Sequence, residues 1–353
     1  MNRRWTIGCL LLFLLLCGGC RDREENDDLT VVAGIGVDGR QGAYQIITET
    51  LVAGGESEGG KRLLSESSGM TLSGALLETA NLTAQQLYYT HAQTMVVSRE
   101  LAEEGLYPLL SALERQNSFR LSLRLLVADG KAVDLVGLKE PQEDAASFQL
   151  RSMADTSWHN ATSPDTALYR FLSDVGEDGV QGILPIAGLR GQGEDAQMEI
   201  RGTALFQEDA MVGWLDDRDS QALLWMRESA AGGLLEAEDL ALTVVRCRSR
   251  ITCTPEGAVI RLTLELQEQE GTGRKDVQAR AQALAEERCR RVMEQLRALN
   301  CDAIGLGRRL MQQRPDQAAR VKENWSREFG DYPVEIQVTT KIRDLGRIKE
   351  AVK

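Results

Sequence analysis

Apolar residues recur along this chain with two periods, and the period changes from one segment to the next. From Val259 to Leu266 the alternation is strict, with Ile260, Leu262, Leu264 and Leu266 on one side and Arg261, Thr263 and Glu265 on the other. Such alternation marks a strand with one buried and one solvated face. Val244 to Thr252 predicts its partner strand, joined through Thr254-Pro255-Glu256-Gly257. From Asp276 to Leu299 the spacing lengthens to three and four, through Val277, Ala281, Ala285, Cys289, Val292, Leu296 and Leu299. That spacing predicts a long helix laid over a sheet by its apolar face. A shorter helix over Ala318 to Phe329 and a strand over Pro333 to Ile342 complete this part.

The earlier part mixes the same two patterns. Leu29 to Val37 and Tyr44 to Leu51 predict a hairpin about a glycine-rich turn, and Gly54 to Gly60 a polar loop. Thr71 to Leu87 predicts an amphipathic helix through Leu72, Leu76, Ala80, Thr83 and Leu87. Met95 to Val97 and Leu121 to Ala128 read as strands, with helix over Glu100 to Gln116 interrupted near Gly105 and Pro108. Ser163 and Pro164 predict a helix start, as N-cap and first helical residue, leading into Leu168, Phe171 and Leu172. Ile200 to Phe206 and Met211 to Leu215 predict a further hairpin. Helices and strands without a steady βαβ rhythm give an α+β, multi-domain fold with mostly antiparallel or mixed sheets flanked by helices. The glycine-rich, charged stretch Leu189 to Asp195 is the expected boundary. It separates a domain at 20–190 from one at 198–353, with 198–235 as a possible small module of its own.

The first 20 residues have a different character. Asn2-Arg3-Arg4, an apolar run through Leu16, then Gly18, Gly19 and Cys20 form the order of a lipoprotein signal peptide over 1–19. The apolar stretch Ile7 to Cys17 is short of the ~20 residues that span a bilayer. Cys20 is then expected to carry a covalent diacylglyceryl lipid, although Cys17 stands where a lipobox usually has Leu. Cleavage removes two arginines and no acids, taking the net charge from -12 to -14. A body with that net charge is repelled by nucleic acid and by anionic headgroups, so the expected anchor is hydrophobic and nucleic acid is not an expected partner.

Chemistry-bearing motifs are sparse. Gly34-Ile35-Gly36-Val37-Asp38-Gly39 matches GxGxxG, but a strand follows where a dinucleotide site needs a helix. HExxH, P-loop, EF-hand and paired CxxC patterns do not occur in the mature chain, and His91 and His159 are its histidines. No catalytic residue, cofactor or metal is expected. Cys247 and Cys253 stand six apart on one strand, about 20 Å, too far for a disulfide, and with Cys289 and Cys301 they read as small buried hydrophobes. Asp216-Asp217-Arg218-Asp219 reads as a solvated turn without calcium-loop spacing.

The segments Asn300-Cys301-Asp302-Ala303-Ile304-Gly305-Leu306-Gly307, Arg314-Pro315, Trp325, Phe329 and Leu345-Gly346 resemble the C-terminal domain of Ger(x)C spore-germination lipoproteins. Gly202 to Phe206 with Val212 to Leu215, Leu29 to Asp38, His91 to Val97 and Arg115 to Asp134 are similar to that family in the same order. Arg21 departs from it, since Trp commonly follows the lipidated Cys. The resemblance implies a non-enzymatic subunit of a nutrient germinant receptor. It would be lipid-anchored at the extracytoplasmic face of the inner spore membrane and partnered with membrane-embedded A and B subunits. Candidate partner-contact or structural positions are His91, Arg120, Trp214, Asp302, Gly305, Gly307, Trp325 and Phe329. Asp302, Gly305 and Gly307 read either as a turn closing the long helix or as a partner-facing loop. His91 reads as a hydrogen-bonded residue at a helix–strand junction or as a partner contact. The tryptophans read as core or as interface anchors. The alternative function is a solute-binding transport lipoprotein, which calls for two α/β lobes with parallel sheets.

Overall fold

A computed structural model describes residues 29–343 apart from 53–60, 84–85, 116–117, 140–144, 166, 192, 229, 238–239 and 269–275. The signal peptide, Cys20, the Gly54 to Gly60 loop and Leu345-Gly346 lie outside the described residues.

The hairpin at the start forms as its pattern predicts. β1 (Leu29–Arg40) and β2 (Ala43–Val52) pair antiparallel, and β3 (Lys61–Gly69) adds to β2. The expected glycine turn differs, because β1 runs straight through Gly34 and Gly36 and the chain reverses at Gln41-Gly42. The two glycines serve close packing instead. A Cβ on Gly34 would collide with Ser147, and one on Gly36 would stand 3.2 Å from the Ala132 carbonyl.

α1 (Leu72–Leu82) is capped by Thr71, whose hydroxyl accepts from Gly74 N at 3.0 Å. It ends earlier than its periodicity predicts, and Leu87 falls in β4 (Gln86–Tyr88), parallel to β1. β5 (Thr94–Val97), β6 (Arg124–Ala128) and β7 (Ile183–Arg190) continue the sheet in parallel from β1. These strands are continuous apolar runs because both their faces are covered. α2 (Arg99–Glu104) and α3 (Tyr107–Arg115) are separated at Gly105, which has φ 123°. α4 (Ala132–Val136) and α5 (Ala146–His159) cover the other face. α6 (Leu168–Val175) starts later than Ser163-Pro164 predicts: Ala167 is its N-cap and Ser163 is buried.

The expected boundary at Leu189 to Asp195 is the connection of a hairpin. β8 (Gln197–Gln207) pairs antiparallel with β7, and β9 (Ala210–Leu215) pairs with β8. Both strands belong to one nine-stranded sheet, ordered β3-β2-β1-β5-β6-β7-β8-β9 with β4 also on β1. Residues 198–215 therefore continue the first sheet. α7 (Asp217–Glu228) leads away from it, capped by Asp216 Oδ1, which accepts from Asp219 N at 2.8 Å. The expected solvated turn is thus a helix start, with Asp219 buried and paired to Arg291.

The second sheet has the order β10 (Leu234–Ala237), β11 (Leu240–Thr254), β12 (Gly257–Glu268) and β13 (Val334–Ile342). β11 and β12 form the predicted hairpin, closing at Thr254 and Gly257, and β13 lies parallel to β12. α8 (Val277–Ala298) lays Ala281, Ala285, Cys289, Val292 and Leu296 onto one face of this sheet with Trp225 of α7. α9 (Leu306–Gln313) and α10 (Ala318–Glu328) pack into the same core. The whole is an α+β, multi-domain fold of two mixed sheets.

Candidate functional site

The loop after α8 gathers four of the sequence candidates. Asn300 turns the chain with φ 48°, and Asp302 follows it into the interior. Asp302 Oδ1 accepts from Gly305 N at 2.8 Å and Leu306 N at 2.9 Å; Oδ2 accepts from Gly307 N at 2.9 Å and Trp325 Nε1 at 2.8 Å. One carboxylate thus satisfies the free N–H groups of the first turn of α9 and the indole of α10. Gly305 takes the left-handed φ of 78° that this reversal needs. A Cβ on Gly307 would lie 2.6 Å from Trp325 Nε1 and 2.7 Å from Gly179 Cα. Trp325 in turn packs against Phe329 and Tyr332, with ring centroids 6.1 and 4.9 Å away. Burial pushes the Asp302 carboxyl above the usual carboxylate range, against the N–H donors that pull it down.

The same loop joins the two sheets. Gln181 N donates to Asp302 O at 3.0 Å, Arg308 N to Gly179 O at 2.7 Å, and the Cys301 thiol to Phe206 O at 3.1 Å. Asp174, at the end of α6, holds Arg227 of α7 and, at 3.3 Å, Arg308 of α9. Arg227 also donates to the Ala303 carbonyl. A groove of about 500 Å³ lies beside this joint, lined by Trp158, Asp165, Tyr169, Arg170, Arg227 and Arg308 among others. Its charges are already paired: Asp165 holds Arg124 at 2.6 Å and Arg170 at 3.0 Å. The chemistry this arrangement offers is fixation of geometry, with Asp165 and Asp174 paired to arginines and Asp302 held by N–H donors.

His91, Arg120 and Trp214 lie away from this node. His91 is exposed at the end of the 3₁₀ turn Tyr89–His91 before β5; its carbonyl accepts from Gln93 Nε2 at 2.8 Å and its ring stacks on Tyr88 at 5.8 Å. Arg120 is exposed in the turn before β6, its carbonyl accepting from Leu123 N at 3.0 Å. Trp214, on β9, is 44% exposed, whereas Trp225 and Trp325 are core. Cys247, Cys253, Cys289 and Cys301 are buried free thiols, and burial pushes Cys247 up to about 12 and Cys253 up to about 11. Among the described residues no group of three or more His, Cys, Asp or Glu could hold a metal ion.

Two further buried carboxylates were not anticipated. Glu49 on β2 accepts from Ala146 N and Ser147 N, both at 2.8 Å, which fixes the start of α5, and Arg62 pairs with it. Asp38 on β1 accepts from Ala132 N at 2.6 Å and Val133 N at 2.9 Å, fixing α4. The available signal was a lone acid inside the apolar run Ile46-Ile47-Thr48-Glu49-Thr50-Leu51. The Asp174 and Arg227 pairing left no local trace, since its members stand 53 residues apart.

The fold is thus of the α+β class, with two mixed sheets joined through a buried aspartate. Residues 22–189 match the spore germination protein N-terminal domain, and 201–346 match the spore germination B3/GerAC-like C-terminal domain. The chain belongs to this GerAC family of spore germination proteins. It is similar to spore germination protein KC of Bacillus subtilis (strain 168), 22% identical over 98% of this chain and 96% of that one. It is also similar to spore germination protein GerQC of Bacillus cereus, 23% identical over 62% of this chain and 59% of that one. The match to the Bacillus subtilis protein YfkR spans 60% of that protein's length, at 25% identity. The crystal structure of the GerBC protein shares the fold, with a TM-score of 0.53 at 15% identity over 92% of this chain and 100% of that one.

Proposed function

We propose that this germination protein is the lipid-anchored, non-enzymatic subunit of a nutrient germinant receptor. Cys20 carries the diacylglyceryl group, and the body is the platform on which membrane-embedded A and B subunits assemble. The site of action is the extracytoplasmic face of the inner spore membrane. The observation that carries this reading is the short interval between Cys20 and the first strand, which begins at Leu29. Nine residues reach at most about 30 Å, so a lipid on Cys20 keeps the body against the bilayer, within reach of membrane-embedded partners. The Asp302 joint supports the same role, because a platform needs its two sheets in a fixed relation. Among the described residues no helix is long and apolar enough to cross a membrane.

A solute-binding role calls for two parallel α/β lobes. Among the described residues parallel pairing is confined to the centre of the large sheet and to β13. Replacing Cys20→Ala is expected to move the protein from the spore membrane fraction to the soluble fraction and to slow nutrient-triggered germination. Retention in membranes with an unchanged nutrient response sinks the anchoring. Affinity purification of the tagged protein from spore membranes is expected to bring two multi-span proteins with it, and their absence sinks the assembly role.

A further inference from the structure

The open face of the small sheet carries a charge opposite to that of the chain. Side chains alternate across a strand, so residues of β11, β12 and β13 that point away from α7 and α8 share one solvent side. On β11 this side presents Arg246, Arg248 and Arg250, all exposed. Ladder register sets Arg261 directly opposite Arg250, and Lys341 beside Glu265. The acids on these three strands' open side are Glu265 and Glu335. Glu265 is taken by Arg246 at 3.5 Å and by Arg343, while Glu335 accepts from Gln337 at 2.7 Å. Among the described residues Arg248 and Arg250 have no ion-pair partner.

This arrangement is costly for folding alone, since like charges directly opposite each other on neighbouring strands repel. Exposed positions recur about every 6.6 Å along a strand and about every 4.8 Å between strands, giving a two-dimensional grid of guanidinium groups. A planar array of phosphates complements such a grid more fully than a single extended acidic peptide, which would follow one row.

We propose that the open face of the small sheet, centred on Arg248, Arg250 and Arg261, docks on the anionic phospholipid headgroups of the bilayer. The proposal rests on the reading of Cys20 as an anchor, which confines the body to that surface. The excess of acids elsewhere on the chain is repelled by the same headgroups. The uneven charge therefore orients the protein, laying the small sheet flat on the membrane.

The test uses the mature lipidated chain on vesicles of phosphatidylcholine alone and on vesicles rich in phosphatidylglycerol. Flotation with the neutral vesicles reports the anchor by itself. Modification of Arg248, Arg250 and Arg261 by phenylglyoxal, followed residue by residue with mass spectrometry, reports the face. Modification is expected to be about tenfold slower on the anionic vesicles, and high salt is expected to remove the difference. Equal rates on both vesicles overturn the proposal, whether or not the chain floats. In the double variant Arg248→Gln, Arg250→Gln, protection of Arg261 is expected to fall towards its value on neutral vesicles, while Arg314→Glu with Arg327→Glu leaves it unchanged. Protection of Arg261 that survives the double glutamine variant overturns the proposal. Protection by soluble polyglutamate but by neither vesicle assigns the face to an acidic protein segment, and overturns it too.

Discussion

The two sheets solve the burial problem in opposite ways. The large sheet is covered on both faces, so neighbouring residues such as Leu125 and Leu126 enter different cores and both are fully buried. The small sheet is covered on one face, so Leu264 is buried and its neighbour Thr263 is not. Polar groups follow suit. In the large sheet the carboxylates of Asp38 and Glu49 turn inward to fix the starts of covering helices, whereas in the small sheet the arginines of β11 turn outward. A strand's period thus reports how many of its faces are covered, and a lone acid in an apolar strand reports that a helix starts above it.

The joint between the sheets offers the largest effect. Asp302→Ala leaves four N–H donors buried without their acceptor, and should lower stability by about 4 kcal/mol in urea unfolding. A loss under about 1 kcal/mol would mean that the node contributes little to holding the sheets together.

The contrast of covered faces is open to a four-residue scan. Leu125→Ala and Leu126→Ala should each cost about 3 kcal/mol, as should Leu264→Ala, while Thr263→Ala should stay within about 0.5 kcal/mol. Unequal losses at Leu125 and Leu126 would break the picture of a two-sided sheet.

The smallest effect concerns pH. Burial, opposed by the Ala132 and Val133 amides, raises the Asp38 carboxyl above its ordinary 3.8. The folded protein then holds a proton that the unfolded chain has released, so this contribution is present below 3.8 and is lost as pH rises through the folded value. The stability advantage of wild type over Asp38→Asn should therefore narrow as pH climbs through that window in a series of urea midpoints. A widening gap would reverse the sign of the coupling.

Much of the one-sided half was legible because its signals are local. The alternation in β12, the spacing in α8 and the turn at Thr254 to Gly257 each depend on residues within a few positions of one another. The cluster Asp302, Gly305, Gly307 and Trp325 was found through resemblance, and its geometry supplies the reason for those residue types. What stayed hidden was long-range. Nothing near Gly34 announces that Ser147 will press against it, and nothing near Asp174 announces Arg227. The parallel centre of the large sheet was hidden for a related reason: continuous apolar runs say that both faces are covered and are silent about strand direction.

The hairpin of β8 and β9 has a practical consequence for anyone who divides this chain. The family segments meet between 189 and 201, yet that interval holds the end of β7, the hairpin connection and the start of β8, all within one sheet. A fragment ending at 189 would present β7 as a raw edge, ready to pair with any second chain, and its sibling starting at 201 would carry a hairpin with no sheet to lean on. Split reporters, fusion tags and halved expression products are better cut after Leu215, where the chain leaves the large sheet for α7.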